Sequence, residues 1–202
     1  YVTDSLCDRP KNLFRLIEAK LGDSVLLDAA SSRNLELFAA SGGAREGSLL
    51  ETIDRTETPA GARLLALWLA EPSTDLGLIS RRQAAVGEFV RHPGAASRVA
   101  EALRGVRDLA RILARLQNRL RNPRELGGIR DTLRSLPPLR EELQALPGGT
   151  LAALAAHIET EPALLTRLEA ALGDELPVDL TEGGALRAGF DAELDRLRSL
   201  AS

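Results

Sequence analysis

The chain has 202 residues, of which 44% are hydrophobic and 3% aromatic, with a net charge of −3 at pH 7. Such a chain can bury a core, favours helices over sheets, and lacks the basic character of a nucleic-acid-binding module. Its one cysteine, Cys7, excludes an intrachain disulfide and fits a reducing compartment. No apolar run approaches the roughly 18 residues that span a bilayer, and no signal peptide is visible.

The first 30 residues differ in pattern from the rest. Four apolar side chains within 13–17 predict a short amphipathic helix that ends near Lys20. A turn at 22–23 precedes the apolar run SVLLD at 24–28, which we interpret as a strand. A single strand is unstable, so this one should pair with a small sheet or with a partner outside the chain.

From residue 31 onward the pattern is helical. Ser31 or Ser32 should cap a helix that carries Leu35 and Phe38 and ends at the SGG sequence of 41–43. That helix would be the first of a series separated by prolines and glycines.

Two helix starts follow within a dozen residues. Ser48 and Glu51 have capping-box spacing, and Thr58 with Pro59 supplies a cap and a proline at the first helical position. Pro72 ends the second of these helices. Further helices are predicted at 75–91, 95–104, 108–120, 123–135, 139–146, 150–158 and 163–172.

The C-terminal part should contain an extended segment at 176–180, because Pro177 removes a backbone donor, and then a turn at 181–184. Four apolar residues at helical spacing predict a last helix that lies on a core: Leu186, Phe190, Leu194 and Leu197. We expect this helix and the helix around 63–68 to lie at the centre of the packing. The predicted structural core is Leu64, Leu65, Trp68, Leu69, Ile112, Leu116, Phe190, Leu194 and Leu197.

Motifs for catalysis or for ligand binding are absent from the sequence. No phosphate-binding loop of the GxxxxGK[ST] type occurs, and no GxSxG elbow supports a serine nucleophile. Cys7, His92 and His157 are too few and too scattered for a zinc site. We assign no catalytic, cofactor-binding or metal-binding residue to this chain.

Arginines recur every four residues on one predicted helix, at Arg111, Arg115 and Arg119. A stripe of this kind suits contact with a DNA backbone. The alternative is that these arginines pair with acidic residues of neighbouring helices or of other domains. We favour pairing, because the chain is acidic overall and no aromatic residues alternate with the arginines.

A series of motifs in register resembles the middle part of the MutS mismatch-repair ATPases. The motifs are DAASSRNLEL at 28–37, GG at 42–43, SLL at 48–50, DRTxTPxGxRLL at 54–65, WLxxP at 68–72, RQxAV at 82–86, DLxRILARL at 108–116, PREL at 123–126, GG at 183–184 and GFDAELD at 189–195. Each is weak alone, but together they extend from about residue 24 to the end. Ala60 and Ala62 depart from the family pattern, and residues 147–180 match little of it.

The resemblance implies an all-α fold, a multi-helix core or lever domain over 23–202 that is truncated before the clamp insertion. Residues 1–22 would be the end of the preceding connector domain, a short α/β remnant. A chain that starts at Tyr1 and contains no methionine is expected to be a fragment of a longer protein.

The resemblance implies a non-catalytic function for this chain. The domain would couple the nucleotide state of an ATPase domain to the binding of mismatched DNA by the clamp and mismatch-reading domains, and none of these three domains is in this chain. The resemblance assigns ATP or ADP and Mg²⁺ to the parent protein, not to this fragment. It also implies a homodimeric parent, MutL as a partner, and a cytoplasmic, nucleoid-associated location in a bacterium. A DNA-backbone-contacting helical module and a helical adaptor of a MutS-like paralogue remain as alternatives.

Overall fold

The computed structural model describes residues 24–118 and 122–201, which form an all-α fold. These residues contain no β-strand, and their only sheet-like pairings are isolated bridges between Ser24 and Ser73 and between Leu172 and Leu186. The predicted all-α class is confirmed. The predicted connector remnant, Cys7 and the helix ending near Lys20 lie outside the described residues.

Ten α-helices and one short 3-10 helix, Leu180–Glu182, make up the regular structure of the described residues. The α-helices are α1 Ala29–Asn34, α2 Leu49–Ile53, α3 Pro59–Ala70, α4 Leu76–Arg91, α5 Pro93–Arg104, α6 Leu109–Gln117, α7 Pro123–Gln144, α8 Thr150–Ala155, α9 Pro162–Ala171 and α10 Ala192–Ala201.

The predicted caps at 48 and 58 are confirmed. The Ser48 hydroxyl accepts from the backbone N–H of Glu51 at 3.2 Å, and the Thr58 hydroxyl accepts from that of Gly61 at 3.0 Å. Each cap satisfies a backbone donor that has no partner inside the helix, and such caps typically contribute about 1 kcal/mol. These side chains therefore fix where α2 and α3 begin.

The predicted strand at 24–28 is wrong, because only Ser24 forms a bridge and the chain enters α1 at Ala29. The Asp28 carboxylate caps α1 by accepting from the N–H of Ser31 at 2.6 Å, so neither Ser31 nor Ser32 is the cap. The helix is also shorter than predicted, since it ends at Asn34.

Helix α7 is one continuous helix where the sequence predicts two, with Pro137 and Pro138 inside it. A proline has a helix-compatible φ but costs a backbone hydrogen bond, which is why the pair predicts a break. Here Leu133 precedes the prolines and Leu139 follows them, and both are buried. Packing on both sides of the prolines therefore holds the helix together, an effect that a local pattern does not show.

The core centres on α7, which packs against α5, α6, α8 and α9. The main cluster of buried side chains consists of Val99, Leu139, Leu143, Leu146, Leu151 and Ala155. Half of this cluster comes from α7 and the residues just after it, and Leu151 and Ala155 come from α8. The segment that matches the family pattern least thus supplies part of the core.

The predicted core is wrong in part, because four of its nine residues are exposed. Ile112 is buried, and Leu65, Leu69, Leu116 and Leu194 are half-buried. The exposed fractions are 46% for Leu64, 39% for Trp68, 40% for Phe190 and 54% for Leu197, so these residues are not at the centre of this chain's core.

The last helix also begins later than the stripe predicts. Leu186 and Phe190 precede α10, which starts at Ala192. Their spacing matches a helical period by coincidence, because the backbone at Gly189 has a φ of 85°, a left-handed value that interrupts a right-handed helix.

Candidate functional site

The arginine stripe lies on the outer side of α6. The side chains of Arg111 and Arg115 are 68% and 54% exposed, and Arg119 lies outside the described residues. Both described arginines have acidic partners: Arg111 Nε is 3.5 Å from Asp108 Oδ2, and Arg115 Nη1 is 2.5 Å from Glu125 Oε1. The contact of this stripe with DNA stays a prediction, while its pairing with acidic residues is observed.

Asp108, next to the arginine stripe, connects two helices. Its two carboxylate oxygens accept from Arg63 Nη1 at 2.6 Å and Nη2 at 2.9 Å, a two-pronged pairing that fixes the geometry as well as the charge. Asp108 also caps α6 by accepting from the N–H of Arg111 at 3.4 Å. Hydrogen bonding to Arg63 lowers the pKa of Asp108 below its ordinary value. One carboxylate therefore ties α3 to the start of α6.

Similar ion pairs connect other helices. They are Arg104 with Glu57 at 3.1 Å, Arg98 with Glu142 at 2.7 Å, Arg134 with Glu169 at 2.6 Å and Arg115 with Glu125 at 2.5 Å. These pairs link α5 to the segment before α3, α5 to α7, α7 to α9, and α6 to α7. Most of these side chains are solvent-exposed, so each pair contributes little to stability by itself. Their common effect is to hold helices distant in sequence in one arrangement.

Two buried polar side chains of α7 were not predicted from the sequence. The Arg130 side chain is 8% exposed, and its Nη1 donates to the carbonyl of Gly173 at 3.0 Å. Thr132 is fully buried, and its hydroxyl accepts from the N–H of Arg107 and donates to the carbonyl of Gly128. The burial of Arg130 could have been predicted from its spacing in α7. Arg130 follows Leu126 by four residues and therefore lies on the same helix face, which turns toward the core.

Glu88 of α4 is a further buried polar residue that was not predicted from the sequence. It is 1% exposed, and its Oε1 accepts from the N–H of Thr150, the first residue of α8, at 3.2 Å. Within the described part of the chain, its Oε2 has no hydrogen-bond partner. A Cβ at Gly148 would collide with the Glu88 carboxylate, so any larger residue there requires that side chain to shift. Glu88 is buried because α8 packs over it from 62 residues away, and no local pattern signals that.

A groove lies between α4 and α8, with Trp68 of α3 at one end. Its volume is about 530 Å³. The guanidinium carbon of Arg82 lies 3.6 Å from the centre of the Trp68 ring, a cation–π contact. The lining residues are Trp68, Arg81, Arg82, Ala85, Val86, Phe89, Thr150, Leu151, Ala153, Leu154 and His157.

Comparison with known proteins shows the family. Residues 30–201 match the family model described as MutS domain III. The chain belongs to the MutS domain III family. It is 43% identical over 176 residues to the DNA mismatch repair protein MutS of Rhodopirellula baltica, a match that covers 87% of this chain and 20% of that protein.

Two further MutS relatives cover even more of this domain. The chain is 38% identical to the DNA mismatch repair protein MutS of Chlorobaculum tepidum over 193 residues, which is 95% of the chain and 22% of that protein. Against that of Anaeromyxobacter sp. it is 39% identical over all 202 residues, or 23% of that protein. The chain thus spans about a fifth of the length of the curated relatives it matches.

The two histidines of the domain III chain are far apart and bound locally. Nδ1 of His92 lies 2.9 Å from the carbonyl oxygen of Glu88, and Nδ1 of His157 lies 3.0 Å from that of Ala153. Over residues 24–118 and 122–201, no three His, Cys, Asp or Glu side chains come together as metal ligands would. In the same residues, no helix has the length and apolar character required to cross a membrane.

Proposed function

We propose that this chain is the non-catalytic core, or lever, domain of a mismatch-repair MutS protein. In this role it couples nucleotide state in an ATPase domain to the binding of mismatched DNA. The observation that carries the proposal is the set of ion pairs that connects α3, α5, α6, α7 and α9. Helix α7, to which three of these pairs connect, has 22 residues and is about 33 Å long at 1.5 Å per residue.

This arrangement supports transmission because packed helices shift as rigid bodies between discrete arrangements. A displacement of α3 pulls on α6 through Arg63 and Asp108, and α6 is connected to α7 through Arg115 and Glu125. More exposed ion pairs, such as Arg98 with Glu142, break and re-form at small energetic cost, whereas the apolar contacts around α7 do not. Such a domain can change the relative positions of its helices without unfolding.

The proposal includes the context of the domain. Residues 1–22 would be the end of a connector domain, and 23–202 the core domain up to the clamp insertion. ATP or ADP with Mg²⁺ would bind in the ATPase domain, outside this chain. The parent protein would act as a homodimer on mismatched DNA, recruit MutL, and work in the bacterial cytoplasm near the nucleoid.

The test uses Asp108→Asn in the full-length parent protein. Asparagine still caps a helix but lacks the charge that pairs with Arg63. We expect mismatch binding without ATP and basal ATP hydrolysis to stay within about twofold of wild type, while ATP-induced release from mismatched DNA slows at least about fivefold. The matched control is Asp179→Asn, since Asp179 accepts hydrogen bonds only from Thr181 among the described residues. Unchanged release in Asp108→Asn would contradict the proposal.

Direct contact with the DNA backbone is a second candidate, favoured by the exposure of Arg111 and Arg115. Its test is the salt dependence of mismatched-duplex binding by the full-length protein with both residues changed to glutamine. If they contact phosphates, the double variant should bind more weakly and with a slope against log salt smaller by about 2. An unchanged slope removes this candidate.

A further inference from the structure

We infer that the groove between α4 and α8 binds an amphipathic helix of the same polypeptide, outside this chain, whose apolar face is flanked by a carboxylate. The inference requires only that the domain is part of a longer protein, as its relatives are. It does not require that the domain couples nucleotide state to DNA binding.

The first support is the apolar surface at the groove. Val86 is 62% exposed and Leu154 58% exposed, and these two face the groove from α4 and α8. Val90, one turn after Val86 on α4, is 75% exposed. Single exposed apolar side chains need no explanation, but exposed apolar side chains that face one groove from both of its walls, as Val86 and Leu154 do, indicate a binding surface. Between two helices, such a surface suits a third helix that inserts apolar side chains.

The second support is charge. Arg81 and Arg82 border the groove, and within the described part of the chain neither lies within ion-pair distance of a carboxylate, unlike Arg63 and Arg98. Arg82 stacks on Trp68, which leaves the N–H groups in the guanidinium plane able to bind a carboxylate in two-pronged fashion. The complementary ligand is therefore apolar on one face and acidic beside it.

The third support is that the groove is already formed. Glu88 holds α4 against the first turn of α8 through the N–H of Thr150, so the two walls are fixed relative to each other. Ala85 and Ala153 are small side chains within the lining, which leaves room for a helix backbone to approach. A rigid groove loses little conformational freedom on binding, which favours a stable complex.

The length of the relatives supports the same polypeptide as the source of the helix. The chain spans 20% to 23% of their length, so most of the parent polypeptide lies outside it. A segment of the same polypeptide has an effective concentration of about millimolar when the connection is short and flexible. A helix of the same molecule would then occupy this groove in preference to a helix of a second copy.

The experiment places a photoreactive side chain in the groove of the full-length parent protein, as Val86→p-benzoylphenylalanine. A matched control carries the same probe as Leu113→p-benzoylphenylalanine, since Leu113 is 51% exposed on α6, away from the groove. Equal amounts of ¹⁴N- and ¹⁵N-labelled protein are mixed before irradiation, and the cross-linked peptides are identified by mass spectrometry. Thermal melts confirm that both probe variants are folded.

We expect the Val86 probe to cross-link to one helical segment that contains an acidic residue. Each cross-linked pair of peptides should carry a single isotope, which shows that both come from the same molecule. The Leu113 probe should not reach this segment. Arg82→Glu should reduce this cross-link at least fivefold, and replacing the acidic residue of the mapped segment by arginine should restore it. Mixed-isotope cross-links alone, cross-links shared with the control, or none at all would overturn the inference. An Arg82→Glu variant with unchanged cross-linking would overturn the assignment of a carboxylate.

Discussion

The helices around α7 and the helices α3 and α4 are stabilised in different ways. Helix α7 buries eight of its residues, among them Leu133, Leu139 and Leu143. Helix α3 buries none, and α4 buries only Glu88. The α7 region is therefore held by apolar packing, while α4 contributes only the half-buried Ala85 and Phe89 to the core cluster, and both α3 and α4 keep apolar side chains at the surface. The difference indicates that α7 carries more of the buried core than α3 and α4, which are the helices that the proposed movement and docking involve.

The largest expected effect is on the core of the α7 region. Leu143→Ala removes a side chain that is 5% exposed and should lower the free energy of unfolding by about 2–5 kcal/mol, because it loses apolar burial and leaves a cavity. Urea denaturation of the isolated chain measures the change. Leu154→Ala is the matched control and should cost less than about 1 kcal/mol, since Leu154 is 58% exposed. Equal costs for the two would contradict the placement of Leu143 in the core.

A smaller effect is expected where α4 meets α8. Gly148→Ala places a methyl group on the Glu88 carboxylate and should cost about 1–3 kcal/mol in urea denaturation, because a close-packed site must shift to admit it. The cost should fall in a Glu88→Ala background, where the clash is absent. Gly94→Ala is the control, because its Cβ would have only an ordinary contact at 3.6 Å from Arg98. An equal cost of Gly148→Ala in both backgrounds would contradict the contact.

Replacement of Trp68 tests whether α3 belongs to the same packed unit as α7. A tryptophan in a core costs about 3–5 kcal/mol when changed to alanine. Since Trp68 is 39% exposed and its partner Arg82 is also on the surface, we expect about 1–2 kcal/mol for Trp68→Ala in the isolated chain. Denaturant unfolding gives the value, with Leu143→Ala measured in parallel. A cost as large as that of Leu143→Ala would place α3 in the same packed unit as α7.

The smallest expected effect is the pH dependence of the junction at Asp108. Because hydrogen bonding to Arg63 lowers the pKa of this carboxylate, its contribution is present above the unfolded-state pKa and is lost as the pH falls through the folded-state value. The difference in unfolding free energy between wild type and Asp108→Asn should therefore shrink as the pH falls from 7 to below about 4.

The partner residue provides the control for this prediction. In an Arg63→Gln background, Asp108→Asn should have little effect at pH 7, because the ion pair is already absent. A pH-independent difference between wild type and Asp108→Asn, or an undiminished effect in the Arg63→Gln background, would show that the pair does not stabilise the contact between α3 and α6.

Helix starts were predictable because a cap is a local interaction. Ser48 accepts a hydrogen bond from a backbone group three residues away, and Thr58 does the same, so a short window of sequence contains both partners. The pairing of the arginine stripe was predicted from the overall acidity of the chain, which did not identify the partners: Arg111 pairs with Asp108 three residues before it, and Arg115 with Glu125 of the next helix. The strand at 24–28 failed because an apolar run alone does not distinguish a strand from a connecting segment.

By itself, the sequence determined the helical class, the caps at Ser48 and Thr58 and the family, since each of these depends on residue types at fixed spacing. Only the tertiary structure decided which helix lies at the centre, that α7 continues through Pro137 and Pro138, and that Glu88 is buried while Trp68 is not. The physical reason is that burial depends on which segments pack over a residue. For Glu88, the segment that does so is α8, 62 residues further along the chain.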